Sequence, residues 1–156
     1  MVKKIWDNLE EYLLVYSLMF SLGLIFVQVV LRYCLGYSLS WSEELARYLF
    51  LWQTWIGASY AVKEHKHLRI DIIQNFIKGE RQKIRFELFV LLIWLIFSIT
   101  IVYQSGILIK LIYLRRQLSP ALQLPMAVAY ASVCVGCGLM AIRLVQEIMD
   151  YIKKLR

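Results

Sequence analysis

The sequence predicts an all-α integral membrane protein with four transmembrane helices, and its composition and hydropathy lead to that prediction. The 156 residues are 60% hydrophobic and 19% charged, with a mean hydropathy of +0.59. A soluble domain of this size cannot bury so much apolar surface. Four apolar windows approach or reach the ~20 residues that cross the hydrocarbon layer as a helix: 13–31, 45–62, 88–109 and 126–142.

The first half of the chain predicts a helical hairpin. Residues 3–12 (KKIWDNLEEY) predict a short N-terminal amphipathic helix, whose aromatic residues would lie at headgroup level. A transmembrane helix over about 13–35 follows, and we expect it to be retained because no small-residue cleavage site follows its apolar run. The short turn GYSLSW then leads into an antiparallel second transmembrane helix over about 41–62.

The second half begins with a long polar loop. Apolar and polar residues fall on opposite sides of 68–78, which predicts an interfacial helix at the membrane surface. A third transmembrane helix over about 86–116 and a fourth over about 124–147 follow, with Pro120 and Pro125 framing the loop between them. No repeat or soluble segment is evident, so the whole chain is expected to form one four-helix membrane domain.

The basic residues predict the topology. With an even number of helices, the two termini and the middle loop share one side of the membrane. That side carries 13 of the 18 basic residues. The positive-inside rule therefore predicts cytoplasmic termini. The net charge of +7 follows from this distribution and does not indicate a nucleic-acid partner.

The stretch WSEELARY places charged residues at the start of the second helix. Ser40 and Glu43 fit a capping box, and Glu43 and Glu44 lie at the positive end of the helix dipole. Arg47 falls on the same face, so a helix cap with a local ion pair is one interpretation. The other is a polar corner that contacts a partner protein or lipid headgroups. A proton-coupled carboxylate would more often lie deeper in the membrane.

Two further patterns resemble reactive or metal sites. Cys134 and Cys137 have C-x-x-C spacing, but they fall in mid-membrane without a second ligand pair or a nearby basic group, which predicts inert thiols. His65 and His67 have no companion ligands close in sequence and are interpreted as interfacial histidines.

The remaining polar groups at membrane depth are amides. Gln28, Gln53 and Gln104 would by default form interhelical hydrogen bonds, and they are too few to form a substrate site. Small residues that permit close helix packing, within the domain or against a larger partner, cluster in the second and fourth helices at Gly57, Ala58, Ser59 and Ala61 and at Ala127, Ala129, Ala131, Ser132, Gly136 and Gly138.

One family combines these features. The chain resembles the small, DctQ-type membrane subunit of tripartite ATP-independent periplasmic (TRAP) transporters in Arg32-Tyr33, in WSEELARY at 41–48, in Trp52, Gly57, Ala58 and Ala61, and in the pattern from Lys63 through His67 and Leu68-Arg69-Ile70 to Asp71. The matching residues span about 40 positions in order. The second half agrees in hydropathy and in the prolines before the fourth helix.

The resemblance implies a partner system in the bacterial inner membrane. A periplasmic binding protein would deliver an organic acid, such as a C4-dicarboxylate or a sialic acid, to a large DctM-type elevator subunit that holds the substrate and sodium sites. The small subunit would be no enzyme; it would bind neither substrate nor cofactor and would brace the large one. Residues expected to contact the large subunit or membrane phospholipids are Trp41, Glu43, Glu44, Arg47, Trp52, Gly57, Ala58, Ala61, His67 and Asp71.

Three cations on the outer side, Arg32, Arg115 and Arg116, are expected to meet acidic residues of a docking binding protein, with contact to lipid headgroups as the alternative. Two other functions stay open. A self-sufficient four-helix exporter would normally carry an acid within its first helix, and this helix has none. A membrane thiol oxidoreductase would need an accessible pair of periplasmic cysteines.

Overall fold

The computed structural model describes residues 2–37, 39–63 and 79–155. Within them are four α-helices: α1 (Val2–Cys34), α2 (Ser40–Lys63), α3 (Glu80–Leu114) and α4 (Ala127–Leu155). In this described part no strand occurs apart from an isolated antiparallel bridge between Leu118 and Pro125. The predicted interfacial helix at 68–78 lies outside the described residues, together with His65, His67 and Asp71.

The first helix is one continuous element. α1 passes without a break from the predicted amphipathic segment into the apolar segment, so the separate N-terminal helix of the prediction is not present. The physical reason is that no glycine or proline lies between Val2 and Leu22 to interrupt the backbone. α1 ends before Gly36, whose φ of 67° is the left-handed conformation that closes many helices. There the amide of Leu35 donates to the carbonyl of Leu31.

The four described helices contact one another in the spatial order α1, α2, α4, α3. Extensive contacts join α1 to α2, α2 to α4, and α4 to α3. α1 and α3 are therefore the edge helices of this arrangement. Each edge helix leaves much of its circumference unpacked by the rest of the described chain.

Contacts between the helices fix their directions. Gln28 and Ser21 of α1 meet Glu43 and Gln53 of α2, respectively, so these helices are antiparallel. α2 and α4 are parallel, because Trp55 lies against Gly136 and Ser59 lies against Arg143 farther along both helices. A short loop returns the chain from α3 to α4. The α1–α2 turn and the α3–α4 loop thus share one end, here called the turn end.

Three of the four described helices are long and apolar enough to cross a membrane. The spans are Tyr12–Cys34, Gln82–Leu114 and Ala127–Lys153. In the first two, only 11% and 6% of the most apolar stretch is buried within the protein. Such large exposed apolar surfaces suit lipid or another membrane protein rather than water. α2 is the described helix whose sequence is not apolar enough to be counted with these three.

Close packing in the middle of the arrangement holds α2 and α4 together. An added Cβ on Gly136 would lie 2.5 Å from the Cβ of Trp55 and 2.8 Å from its carbonyl carbon. The helices approach so closely here that only glycine fits. α4 is joined to α3 by a buried hydrogen bond from the Ser98 hydroxyl to the carbonyl of Cys137, at 2.8 Å.

A small apolar cluster lies farther from the turn end. Val62 of α2 packs there with Met140 and Leu144 of α4. Partly buried side chains around the cluster come from α2 and α3: Ala58, Leu91, Trp94 and Leu95. The cluster therefore joins three helices away from the turn end.

Candidate functional site

The charged residues of WSEELARY lie at the turn end, where α2 faces both α1 and the α3–α4 loop. We call these three residues, Glu43, Glu44 and Arg47, the charged corner. Glu43 is directed towards α1. Its Oε1 accepts a hydrogen bond of 2.7 Å from Nε2 of Gln28, and the guanidinium of Arg32 lies 3.8 Å away. Gln28 is only 5% exposed, so this contact supplies a partner for an otherwise buried amide. Glu43 thus links α2 to α1.

Glu44 points in a different direction and binds the α3–α4 loop. Its Oε2 accepts hydrogen bonds from the backbone amides of Ala121 at 2.8 Å and Leu122 at 2.9 Å. The side chain of Ser119 lies beside the same carboxylate. Hydrogen bonds to an ionised acceptor are stronger than neutral ones, so Glu44 fixes the loop against the first turn of α2.

The loop itself is an ordered turn. The Ser119 amide donates to the Leu124 carbonyl at 2.8 Å, and the Met126 amide donates to the Gln117 carbonyl at 3.0 Å. Gln123 adopts a φ of 57°, the left-handed conformation that reverses the chain. Since Glu44 binds the two amides at the tip, the loop cannot move without breaking these bonds.

The predicted capping box is wrong. Ser40 is the first residue of α2 rather than the residue before it, and Glu43 reaches across to α1 instead of back to its own helix. The physical reason is a contact between helices, because the buried amide of Gln28 on α1 binds the Glu43 carboxylate. The hydroxyl of Ser42 donates to the carbonyl of Leu39 at the helix start.

Arg47 is not part of a close ion pair with the neighbouring glutamates in the described structure. Glu43 has Arg32 and Gln28 beside it, and Arg47 acts on Glu44 through its charge alone. The Arg47 side chain is exposed. Of the three charged residues predicted as one cluster, the two glutamates serve internal contacts and Arg47 remains accessible.

An open groove of about 530 Å³ runs between α1 and α2 below this corner. Arg32 and Arg47 lie at its charged end with Glu43, and apolar side chains line most of the rest. Two cations and one anion leave this end with a net charge of +1. The groove offers apolar contact along its length and positive charge at one end. It contains no array of polar groups that would position a small substrate.

The other residues predicted at the interface do not share one surface. Trp41 is 46% exposed at the turn end, whereas Trp52 is half-buried. Gly57 has open space where a Cβ would be, and Ala58 packs beside the inner apolar cluster. Ala61 is half-buried. The structure therefore separates these small residues from the charged corner.

The three outer cations lie at the turn end. Arg115 is the C-terminal cap residue of α3, and Arg116 follows with a φ of 49°. Both are exposed, and the Arg32 side chain is 59% exposed. All three can therefore be reached from outside the described protein.

The remaining sequence predictions have mixed outcomes. Gln28 forms the interhelical hydrogen bond expected of it, and Gln53 forms a long one of 3.5 Å to Ser21. Gln104 is exposed on α3 instead. Cys134 and Cys137 are free thiols, and Cys137 is buried. Across the described residues, no group of three or more potential ligands is placed to hold a metal ion.

Sequence reasoning missed the role of the loop backbone. The residue types at Ala121 and Leu122 do not indicate that their backbone amides bind Glu44, because every residue except proline has the same backbone donor. For Gln28 a signal was available: an amide in an apolar helix needs a partner, and the nearest helix begins with two glutamates.

Comparison with known proteins gives consistent matches. Residues 21–154 match the family described as tripartite ATP-independent periplasmic transporters, DctQ component. The isethionate TRAP transporter permease protein DctMQ of Oleidesulfovibrio alaskensis is 32% identical, over 94% of this chain and 24% of that protein. The C4-dicarboxylate TRAP transporter small permease protein DctQ of Vibrio cholerae is 29% identical, over 64% of this chain and 42% of that protein.

A further relative matches over most of both chains. The protein of the same description from Rhodobacter capsulatus is 27% identical, over 92% of this chain and 76% of that protein. The chain thus spans about a quarter of the DctMQ protein, less than half of the Vibrio protein and three quarters of the Rhodobacter protein.

Proposed function

The chain belongs to the DctQ component family of the tripartite ATP-independent periplasmic transporters, and from that membership we propose that it is a scaffold subunit that binds no substrate. It would brace a large elevator-type permease subunit during sodium-coupled uptake of an organic acid. A periplasmic binding protein would deliver that acid. The substrate and sodium sites would lie on the large subunit.

The alignment with the DctMQ permease is the observation that carries this proposal. Nearly the whole chain corresponds to about a quarter of that protein, so three quarters of it lies outside the match. A segment joined covalently to a larger permease part in one relative is well suited to be a separate, tightly bound subunit here. The remaining part would then supply the transport machinery.

The chemistry of the charged corner supports a bracing role. In the described residues, Glu43 and Glu44 are engaged by α1 and by the α3–α4 loop. Neither carboxylate is left to bind and release an ion without disturbing the fold. The adjoining groove is largely apolar. These groups hold helices together, which is the property that a scaffold needs.

The arrangement of helices suits a brace in the membrane. α1 and α3 present wide apolar edges, and α2 and α4 form the close central contact. We propose that α2 crosses the bilayer beside its three more apolar neighbours, because it packs along both α1 and α4. The turn end would face the periplasm and both termini the cytoplasm, which fits the basic asymmetry of the sequence.

Exposed groups at the turn end are the proposed contacts. Arg47 and Trp41 would bind the large subunit or a phospholipid at its boundary, since neither is needed to satisfy an internal partner. Arg32, Arg115 and Arg116 would attract acidic residues of the binding protein and raise its encounter rate at low salt. The relatives' names include isethionate and C4-dicarboxylates, so the proposed cargo is a small organic anion.

Co-purification tests the subunit role. The chain is co-expressed with a large DctM-type permease subunit, and the complex is captured through a tag in mild detergent. Wild type should retain the large subunit. Arg47→Ala should lose much of it because its charge meets the partner, whereas Arg116→Ala, a matched exposed arginine at the same end that lies after α3, should not. Wild type that never retains a large permease would contradict the proposal.

A further inference from the structure

The two edge helices of the arrangement carry different outward surfaces. On α1, the exposed residues between Leu13 and Leu31 are apolar or aromatic, and the one amide of this stretch, Gln28, is buried against α2. On α3, the amide of Gln104 is exposed. The α1 edge therefore suits lipid, whereas the α3 edge carries a group that hydrocarbon cannot satisfy.

The position of Gln104 along α3 places it inside the hydrocarbon layer. The next charged residue towards the turn end is Lys110, and the exposed Tyr113 follows. At a rise of 1.5 Å per residue, these side chains start about 9 Å and about 14 Å closer to the turn end. Tyrosine and lysine favour the interface between membrane and water, so Gln104 lies well below that level.

The amide of Gln104 has no hydrogen-bond partner within the described structure. A primary amide offers two donors and one acceptor, and lipid chains satisfy neither. On the same side of α3, one turn away, Thr100 differs in this respect because its hydroxyl donates to the carbonyl of Ile96 at 2.8 Å. Gln104 is thus the group on this face that requires a partner from another molecule.

Around Gln104 the exposed residues form a stripe with the spacing of a helix-packing seam. Successive members are three or four residues apart, so they line one side of α3. Their exposed fractions include 60% for Phe97 and 42% for Leu108. We call this set the Gln104 stripe: Ile93, Phe97, Thr100, Gln104, Leu108 and Leu111.

We propose that the Gln104 stripe is the surface on which a transmembrane helix of the large permease subunit packs, with Gln104 hydrogen-bonded to a polar group of that helix. This inference rests on the proposed function. The occupant is a protein helix rather than lipid because the amide needs a partner in the hydrocarbon. It is the large subunit because the DctMQ relative joins the equivalent of this chain to the rest of its permease.

Photo-cross-linking in membranes tests the location. Benzoylphenylalanine replaces Phe97 in one variant and Phe26 in another, and each is co-expressed with the large subunit. The two positions are matched, since both are exposed phenylalanines, at 60% and 69%, on opposite edges of the described structure. Irradiation should join position 97 to the large subunit and should leave position 26 unlinked to it.

A second measurement tests the hydrogen bond. Interhelical hydrogen bonds in membranes contribute about 0.6–2 kcal/mol, so Gln104→Leu should weaken retention of the large subunit about 3- to 30-fold. Thr100→Val is the control on the same stripe. Because the Thr100 hydroxyl is already bonded within α3, that variant should retain the partner as wild type does.

The outcomes separate this inference from the proposed function. A cross-link from position 26 alone, or from neither position while the complex still co-purifies, would overturn the Gln104 stripe and leave the subunit role intact. A cross-link from position 97 to a second copy of this chain, without the large subunit, would also overturn it. Wild type that fails to co-purify with any large subunit would instead contradict the proposed function.

Discussion

The contact between Gly136 and Trp55 gives the sharpest quantitative prediction. In Gly136→Ala the new methyl group would lie 2.5 Å from the Cβ of Trp55 and 2.8 Å from its carbonyl carbon and oxygen. Carbon atoms normally approach to about 3.5–4.0 Å, so α2 and α4 must separate by about 1 Å. A change of rotamer cannot relieve this clash, because two of the three atoms belong to the backbone.

The expected cost follows from overpacking. Extra methyl groups in well-packed interiors cost about 1–3 kcal/mol, and a clash with backbone belongs at the upper end. Gly138→Ala is the matched control, because a Cβ there has no heavy atom within 4 Å. That change should be neutral or should stabilise by up to about 1 kcal/mol through helix propensity. The two variants should therefore differ by about 2–4 kcal/mol.

Thermal unfolding in detergent, followed by tryptophan fluorescence, measures this difference. For a chain of this size, 1 kcal/mol corresponds to about 2–4 °C in Tm, so Gly136→Ala should melt about 4–16 °C below Gly138→Ala. If the two variants melt together, or Gly136→Ala melts higher, the close approach of α2 and α4 is refuted. The reasoning on their parallel contact would then fail as well.

Two further predictions concern the loop and the topology. Glu44→Ala removes the acceptor for the Ala121 and Leu122 amides, so their hydrogen exchange should accelerate about tenfold relative to wild type; unchanged exchange would show that other contacts hold the loop. In a chain with its native cysteines replaced, Tyr37→Cys should react with an impermeant thiol reagent in intact cells and Gln82→Cys should not; the reverse pattern would invert the proposed orientation.

The sequence predicted the elements of the fold better than their contacts. Apolar windows and the turn at Gly36 located the hairpin of α1 and α2, because length and hydropathy determine where a helix forms in a membrane. The order of the helices was not predictable in the same way. It depends on pairs such as Ser98 with the Cys137 carbonyl, and nothing in a single sequence indicates which helix such a serine faces.

At the charged corner, too, the sequence predicted which residues matter but not which groups they contact. The sequence located Glu43, Glu44 and Arg47, because charges beside an apolar stretch are costly without a use. It did not show that the two glutamates point to different neighbours. Adjacent residues on a helix are about 100° apart, so Glu43 can reach α1 while Glu44 reaches the loop. The spacing of Ser40 and Glu43 favoured a helix cap. In the structure, Glu43 instead binds the buried amide of Gln28.

The central claim is that this chain supports transport and performs none itself. Uptake into proteoliposomes with an inward sodium gradient tests it directly, with radiolabelled succinate, sialic acid and isethionate as probes. Proteoliposomes with equal sodium on both sides are the control. The chain alone should give no sodium-dependent uptake of any probe. The same preparation reconstituted with its large subunit and binding protein should accumulate one of them. Sodium-dependent uptake by the chain alone would contradict the scaffold account.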